Sequence, residues 1–254
     1  MVTIDNLTVS YRQHPALHHI SGHFAAGSLT AVIGPNGSGK STLLKSIMGL
    51  LRPEGGQITV GTPRCSIAYL AQLTEIDRSF PMSVRDCVLL GSWSAVGAWG
   101  RVPEALLQRV ASAITQVGLA GFEQRTVGSL SSGQLQRVLF ARLMVQEANL
   151  ILLDEPFNAM DSRTTAALLR LVHQWHSEGR TVIAVLHDDE QVRQHFAQTV
   201  LLARELVAWG DTAQVLTSVH LQRARRLAEA WDDTADICHT DEVATATSPA
   251  RQVS

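Results

Sequence analysis

The stretch Gly34-Pro-Asn-Gly-Ser-Gly-Lys-Ser-Thr42 decides the fold of this 254-residue chain. It fits the spacing G-x-x-x-x-G-K-[ST], in which the glycines let backbone N–H groups turn inward around a phosphate. The apolar run Leu29–Ile33 precedes it, and apolar residues at helical spacing follow Lys40. A strand, a glycine-rich loop and a helix in this order put the phosphate at the positive N-terminal end of the helix. The sequence therefore predicts an α/β fold with a phosphate site.

Four polar residues are the first candidates for chemistry at this site. Lys40 can reach the β- and γ-phosphates as a point charge, and Ser41 offers a hydroxyl to Mg²⁺. Asp154 and Glu155 end the apolar run of ILLDEP, and ligands of open α/β sheets bind at such strand ends. We expect Asp154 to hold Mg²⁺ and Glu155 to act as general base for a water that attacks the γ-phosphate.

The rest of the chain alternates strand-like and helical segments. Ile4–Ser10 alternates apolar and polar residues, as a half-buried strand does. Ile151–Leu153 and Thr181–Leu186 are fully apolar, which is typical of central parallel strands. Residues from about 80 to 146 hold helical patterns and no convincing strand. The residues from Trp231 onward are small, polar and aperiodic, so we expect a disordered tail.

The composition of the chain excludes several classes of function. The chain has 21 Lys and Arg against 23 Asp and Glu, a formal net charge of −2, which argues against a broad nucleic-acid face. Its three cysteines are odd in number and far apart, so we predict neither disulfides nor a CxxC zinc site. We therefore expect the protein in a reducing compartment. No signal peptide is visible, and no apolar run approaches the roughly 18 residues that span a bilayer. We expect a soluble or peripheral protein.

The segment Leu130-Ser-Ser-Gly-Gln134, at the start of a predicted helix, adds a family resemblance. With the phosphate loop, it makes the chain resemble the ATP-binding cassette (ABC) ATPases from Val2 to about Leu227. The commonest form of this signature has glycine where this chain has Ser132. The resemblance implies that Ser131, Gly133 and Gln134 contact the γ-phosphate of an ATP bound by another cassette.

The resemblance also assigns roles to four single residues. Gln72 fits the loop that senses Mg²⁺ and the attacking water, and His187 fits the switch histidine that contacts the γ-phosphate. Asp161 fits the loop that crosses the dimer interface, and Tyr11 fits the aromatic that stacks on adenine. Each residue alone has an ordinary structural explanation, and only their joint order and spacing favours these roles.

For the whole chain, the resemblance implies a P-loop NTPase (RecA-like) parallel-sheet core with an N-terminal antiparallel β part and an inserted helical subdomain. We expect the core at about residues 1–79 and 147–215, the helical subdomain at about 80–146, and the tail at 231–254. The implied cofactors are ATP and Mg²⁺, with Ser41, Gln72 and Asp154 holding the metal. The residues expected to contact the nucleotide also include Gly34, Pro35, Asn36, Gly37, Ser38, Gly39, Lys40 and Thr42.

The same resemblance implies partners and a location. One cassette carries half of each composite site, so we expect a head-to-tail homodimer that sandwiches two ATP. An integral-membrane permease is the expected partner at the cytoplasmic face of the membrane, with a metal-binding protein outside the cell acting indirectly and no nucleic acid. We expect Phe80, Met82 and Val84 to contact the permease. The alternative is that they fill a small helical core.

The cargo depends on further resemblance. The segments FPMSVRDCVLLG, from Phe80, and LLARELVAWG, from Leu201, resemble ATPases of metal-chelate and metal-ion importers, and the zinc/manganese group fits best. We therefore expect import of a divalent metal, zinc first, with manganese, iron or a siderophore as alternatives. An ABC ATPase acting on DNA or the ribosome usually has two cassettes or a long coiled coil, and this chain has neither. Exporter cassettes are often fused to membrane spans, which are absent here.

Two other groups of residues could bind a metal. His173 and His176 can share one face of a helix, although exposed helix histidines are the commoner explanation. A tail cluster offers carboxylates, a thiol and an imidazole, although a solvated acidic tail is the commoner explanation. The cluster consists of Asp232, Asp233, Asp236, Cys238, His239 and Asp241.

Overall fold

The computed structural model describes residues 1–11, 14–97, 100–158 and 160–230, without the side chains of Tyr11 and His14. Strands and helices alternate along the described part of the chain. The strands are Val2–Tyr11 (β1), His14–Phe24 (β2), Leu29–Ile33 (β3), Gly55–Val60 (β4), Ile67–Leu70 (β5), Leu150–Asp154 (β6), Thr181–Val185 (β7), Gln198–Ala203 (β8) and Glu205–Asp211 (β9). The helices are Lys40–Met48 (α1), Val84–Leu89 (α2), Trp93–Val96 (α3), Glu104–Gln116 (α4), Ser132–Gln146 (α5), Ser162–Ser177 (α6), Asp189–His195 (α7), Thr212–Val215 (α8) and Ser218–Glu229 (α9).

The main sheet has six strands in the order β5-β6-β7-β3-β8-β9. Its first five strands run parallel, and β9 returns antiparallel to β8. Every residue of β3, β6 and β7 is buried, which explains why their sequences are almost entirely apolar, with Thr30, Asp154 and Thr181 as the exceptions. Because parallel strands end at the same edge, the residues after β3, β6 and β7 meet there. The predicted α/β fold with a parallel core is confirmed.

A second sheet of three antiparallel strands has the order β2-β1-β4, as predicted for the N-terminal part. Strand β2 is not among the predicted strands. Its buried residues Leu17, Ile20 and Phe24 are spaced by three and four, which is helical rather than strand spacing. The cause is irregular pairing with β1, where the register shifts and Asn6 and His19 adopt positive φ angles. The hairpin of β8 and β9 is also absent from the prediction.

The described residues between α2 and α5 contain helices and short 3₁₀ turns, as their pattern predicts. Helix α5 packs against both α2 and α4. Val84 is fully buried in the apolar core. The expectation that Val84 contacts a permease is therefore wrong, because its side chain belongs to the helical core.

The polar C-terminal segment, residues 231–254, lies outside the described residues. The predicted tail and its possible metal cluster therefore have no structural description here. In the part of the chain that is described, no helix is both long and apolar enough to cross a bilayer.

Candidate functional site

A cleft of about 950 Å³ lies beside the glycine-rich loop at the carboxyl edge of the main sheet. It brings together residues that lie far apart in the sequence. Its lining includes most of the predicted loop residues together with Gln72, Glu155 and His187 from three other strand ends. The complete lining is Ala16, Asn36, Gly37, Ser38, Gly39, Lys40, Ser41, Thr42, Gln72, Glu155, Asn158 and His187.

The side chain of Lys40 is folded back onto its own loop. Its Nζ donates to the carbonyl oxygens of Gly34, at 2.9 Å, and Pro35, at 2.8 Å. Burial lowers the pKa of Lys40, and the negative charges of Glu155 and Asp154 oppose that shift. A buried ammonium beside this cleft is suited to bind an anion, because an anion would compensate the cost of burying its charge.

Two glycines of the loop are required by space as well as by backbone conformation. Gly39 has a φ of 91°, and a Cβ there would lie 2.3 Å from the carbonyl oxygen of Ala16. Gly34 has a φ of 150°, and a Cβ there would lie 2.0 Å from the carbonyl oxygen of Leu202. Larger residues would push the loop away from the strands behind it. The two glycines therefore fix the position of the backbone N–H groups that face the cleft.

Ser41, Gln72 and Asp154 form one hydrogen-bonded group. Ser41 Oγ donates to Asp154 Oδ1 at 3.0 Å, and Gln72 Nε2 donates to Ser41 Oγ at 3.0 Å. Tyr69 OH donates to Asp154 Oδ2 at 3.4 Å. Asp154 is fully buried, and burial raises its pKa although the bonds from Ser41 and Gln72 oppose the shift. The structure thus brings together the three residues predicted to hold Mg²⁺.

Glu155 is held by two neighbours at the mouth of the cleft. His187 Nε2 lies 2.7 Å from Glu155 Oε1, and Asn158 Nδ2 donates to Glu155 Oε2. Glu155 follows directly after β6 and has a φ of 50°, in the left-handed region that residues other than glycine rarely adopt. This conformation turns the carboxylate away from the strand and toward His187. The predicted base and the predicted switch histidine are therefore direct neighbours.

None of the described residues of the signature segment lines the cleft itself, but Ser132 shares an adjoining pocket with Gln72, Glu155 and Asn158. Ser131 caps α5, because its Oγ accepts from the backbone N–H of Gln134 at 3.2 Å. The Gln134 side chain in turn accepts from the backbone N–H of Ser131 at 3.0 Å, which completes a capping box. Ser131 is exposed and Gly133 is half-buried. The segment therefore presents a capped helix N-terminus to the surroundings of the chain.

Two further predicted residues lie near this site. Asp161 caps α6 by accepting from the backbone N–H of Thr164 at 2.9 Å and from its hydroxyl at 2.7 Å. These bonds lower the pKa of Asp161 and keep it ionised. Tyr11 ends β1, but its side chain is outside the described residues, so its predicted stacking on adenine stays a prediction. Ala16, which is close in sequence, does line the cleft.

The predicted permease contacts differ in exposure. Phe80 is 62% exposed, whereas Met82 is half-buried and packs against the helical core. Trp93 is 57% exposed in the same region of the chain and is absent from the prediction. Phe80 and Trp93 are therefore the apolar side chains of this region that are most accessible to a partner.

Three polar residues at the site were not predicted. Tyr69 and Asn158 contact Asp154 and Glu155, and Arg78 Nη2 donates to Ser132 Oγ at 3.2 Å. No sequence motif marks any of them, because their roles come from contacts between segments that are distant in the chain. Arg78 follows the Gln72 segment, so it connects that segment with the signature helix.

Comparison with known proteins agrees with this geometry. The family model described as ABC transporter matches residues 17–158. The manganese transport system ATP-binding protein MntB of Listeria monocytogenes is 41% identical over 226 residues, which cover 87% of this chain and 94% of that protein. The zinc transport system ATP-binding protein TroB of Treponema pallidum is 40% identical over 228 residues, which cover 88% of this chain and 86% of that protein.

Solved structures that resemble this chain are also ABC transporter cassettes. An inward-facing ABC transporter, described as being of the metal-chelate type, matches with a TM-score of 0.78 and 31% identity, over 89% of this chain and 88% of that chain. A dimeric bacterial ABC transporter cassette, MJ0796, matches with a TM-score of 0.75 and 25% identity, over 84% of this chain and 99% of that chain.

Proposed function

This chain belongs to the ABC transporter family as an ATP-binding ATPase cassette, and on that premise we propose that it powers the import of a divalent metal ion, with zinc as the cargo. The observation that carries the proposal is the cleft that joins Lys40, Glu155 and His187. Relatives named for manganese and for zinc match almost equally well, so they support a metal cargo without choosing between the two. The choice of zinc as the cargo therefore rests on the sequence resemblance, and the experiment below tests it.

ATP would bind with its phosphates in the glycine-rich loop. The backbone N–H groups of the loop and the start of α1 favour negative charge there. Lys40 would exchange its two carbonyl partners for phosphate oxygens, which are stronger acceptors because they are charged. The loop residues 34–42 would supply most contacts to the phosphates.

The oxygens of Ser41 and Asp154 fit Mg²⁺, and Gln72 would contribute its Oε1 after its amide group turns, because its Nε2 faces Ser41 in the structure. Mg²⁺ prefers oxygen ligands at about 2.1 Å in an octahedron, so neighbouring ligand oxygens lie about 3 Å apart. Ser41 Oγ and Asp154 Oδ1 are 3.0 Å apart. Burial raises the pKa of Asp154, and a bound cation would favour the charged form of this carboxylate. When bound, Mg²⁺ would offset the negative charge of the phosphates.

Hydrolysis would depend on Glu155 as general base. Its two hydrogen-bonding neighbours, His187 and Asn158, fix the direction of the carboxylate. A positioned base of this kind typically contributes about 10²–10⁴-fold to the rate. His187 would also contact the γ-phosphate, since it lines the same cleft. Gln72 would report the state of the metal site to the segment that follows it.

The second half of each ATP site would come from another copy of the chain. Ser131 is exposed and Gly133 and Gln134 are half-buried at the N-terminus of α5, and none of the three lines the cleft of its own chain. In a head-to-tail homodimer, this terminus would cover the γ-phosphate held by the partner, with Asp161 near the interface. To move the dimer from 1% to 99% closed, ATP must favour the closed state by about 5.5 kcal/mol.

A permease would dock on the helical part, which we propose to span residues 80–146. Phe80 and Trp93 are the exposed apolar side chains that such a partner would cover. This docking would hold the cassette at the cytoplasmic face of the membrane. The extracellular metal-binding protein would act on the permease and only indirectly on this chain.

The proposal is tested by the metal content of cells grown under chelation, measured by mass spectrometry. Four strains are compared: wild type, a deletion, the deletion carrying the wild-type gene, and the deletion carrying Glu155→Gln. We expect a selective zinc deficit in the deletion and the Glu155→Gln strain, and recovery with the wild-type gene. A selective manganese deficit would replace zinc as the cargo. Unchanged metals in a strain without a redundant importer would overturn the import function.

A further inference from the structure

Two histidine rings meet where α6 and α7 pack together, outside the ATP cleft. His173 Nε2 on α6 lies 3.3 Å from His195 Nδ1 on α7, with the ring centroids 5.4 Å apart. Both residues are half-buried and so remain open to small solutes. The sequence suggests His176 as the partner of His173, because the two share a helix face. The structure instead pairs His173 with His195, a residue on another helix.

The distance between the two nitrogens fits a shared metal ion. Tetrahedral Zn²⁺ binds histidine nitrogens at about 2.0–2.1 Å, which places two such nitrogens about 3.3 Å apart. His173 and His195 therefore need little rearrangement to hold one ion. A single N–H···N hydrogen bond is the competing explanation for the same distance, and the experiment below separates the two.

The donor set limits which metal can bind. Within the described ranges, no group of three or more His, Cys, Asp or Glu side chains is placed to hold a metal ion. Water would therefore complete the coordination around the two imidazoles. Imidazole nitrogen suits Zn²⁺, and a given nitrogen site binds Zn²⁺ more tightly than Mn²⁺. The pair should accordingly prefer Zn²⁺ to both Mn²⁺ and Mg²⁺.

Both helices lead from this pair to the ATP site. Helix α6 starts at the Asp161 cap, and α7 starts at the Asp188 cap, one residue after His187. A cavity of about 520 Å³ between the helices is lined by Glu155, His187 and His195 among others. An ion that joins His173 to His195 would fasten α7 to α6 and restrict movement of His187.

We propose that His173 and His195 form a binding site for Zn²⁺ or a similar divalent transition-metal ion, and that its occupation slows ATP hydrolysis. The second part rests on the proposed ATPase function. If zinc is the cargo, the site provides feedback from the zinc concentration inside the cell to the subunit that drives its uptake.

The first test measures Zn²⁺ binding directly. Tag-free full-length protein without nucleotide, carrying Cys238→Ala and His239→Ala to remove the possible tail site, competes with a chromophoric chelator for Zn²⁺ and serves as the wild-type reference. It is compared with the same protein carrying His173→Gln, His195→Gln or the control His176→Gln. Losing one of only two protein ligands should weaken binding about tenfold or more. His176→Gln should bind as the wild type does, and thermal unfolding should show that every variant is folded. Mn²⁺ should compete poorly.

Two outcomes would overturn the site. Equal affinity in all four proteins would show that the pair is only hydrogen-bonded. A loss of affinity in His176→Gln with no loss in His195→Gln would assign the metal to a single face of α6 instead.

The second test measures ATP hydrolysis with Mg²⁺ and a buffered series of free Zn²⁺ concentrations. The wild type should be inhibited over the range in which the site fills, and His195→Gln should resist while keeping its basal rate. Equal inhibition of both proteins would refute the regulatory part, even where the binding data support the site. Absence of hydrolysis in every protein, with Zn²⁺ binding intact, would count against the proposed function and against feedback, but not against the site.

Discussion

The two halves of the proposed ATP site are built in different ways. The phosphate half joins distant segments, since Ser41 bonds to Asp154, 113 residues further along the chain. The bonds of the signature cap join Ser131 and Gln134, which are three residues apart, within one helix end. Lys40 is 6% exposed and Asp154 fully buried, whereas Ser131 is exposed. The phosphate half thus requires the folded sheet, whereas the signature half is a local helix cap, for which we propose a ligand held by a second chain.

Contacts inside the chain connect the two halves. Arg78 reaches Ser132 from the segment after Gln72, and Gln136 Nε2 donates to the carbonyl oxygen of Pro156 at 2.9 Å. Gln136 is buried on α5, and Pro156 follows Glu155. A change at the metal site or the base can therefore reach the signature helix through two short links.

The largest effect should follow from removing the base in the phosphate half. We expect Glu155→Gln to reduce steady-state ATP hydrolysis by about 10²–10⁴-fold, because the amide cannot accept the proton of the attacking water. ATP binding should persist, since the loop and Lys40 are unchanged. Turnover is measured by phosphate release, and size-exclusion chromatography with ATP should show a trapped dimer.

A different variant of the same residue provides the control. Glu155→Asp keeps a carboxylate with a shorter reach and should retain more activity than Glu155→Gln. Normal hydrolysis by Glu155→Gln would remove Glu155 from the role of base.

A pair of variants tests directly whether the two halves act on the same or on different nucleotides. Lys40→Ala should weaken ATP binding to the isolated chain about 10-fold to 100-fold, the range for losing charged hydrogen bonds of about 1.5–3 kcal/mol. Ser131→Arg should leave that binding nearly unchanged but prevent ATP-dependent dimerisation and hydrolysis. Both affinities are measured by calorimetry below the concentration at which dimers form.

The proposal that the two halves contact different nucleotides is wrong if both variants lose ATP affinity alike. Equal loss of ATP affinity in Ser131→Arg and Lys40→Ala would mean that the signature contacts the nucleotide of its own chain.

The third effect concerns Asp154, whose replacement should stabilise the folded protein although it abolishes activity. Burial raises the pKa of Asp154, so the folded chain disfavours the ionised carboxylate. A carboxyl group whose pKa is raised on folding destabilises the protein at pH values above the usual aspartate pKa of about 4. This destabilisation disappears as the pH falls toward 4. Asp154→Asn should therefore raise the melting temperature of the nucleotide-free protein by about 2–4 °C, the shift that 1 kcal/mol gives in a chain of this size.

The pH dependence provides the check. The gain in melting temperature should be full at pH 8 and should shrink as the pH falls toward 4, while the variant loses Mg²⁺-dependent hydrolysis. A gain that is equal at both pH values would show that the charge of Asp154 is not its cause.

The same contrast explains what the sequence can predict. The loop, the strand before Asp154 and the helix after Ser131 follow from local patterns, and the structure places them as predicted. Val84 was misassigned because an apolar residue near a surface segment carries no sign of which way it points. Strand β2 was missed because bulges convert its period of two into spacings of three and four. Asn158, Arg78 and His195 were missed because each acts through a partner that only the fold brings near.

The smallest effect should come from Ser132, where the chain departs from the commonest signature. Ser132 Oγ accepts from Arg78 at 3.2 Å and is half-buried, so the contact contributes about 1 kcal/mol. Ser132→Gly should therefore change hydrolysis by less than about tenfold, and Arg78→Ala should change it by a similar amount. If the bond joins the two halves, the double variant should be no worse than either single variant, because both remove the same interaction. Additive losses in that cycle would mean that Arg78 and Ser132 act separately, and would leave Gln136 as the link between the halves.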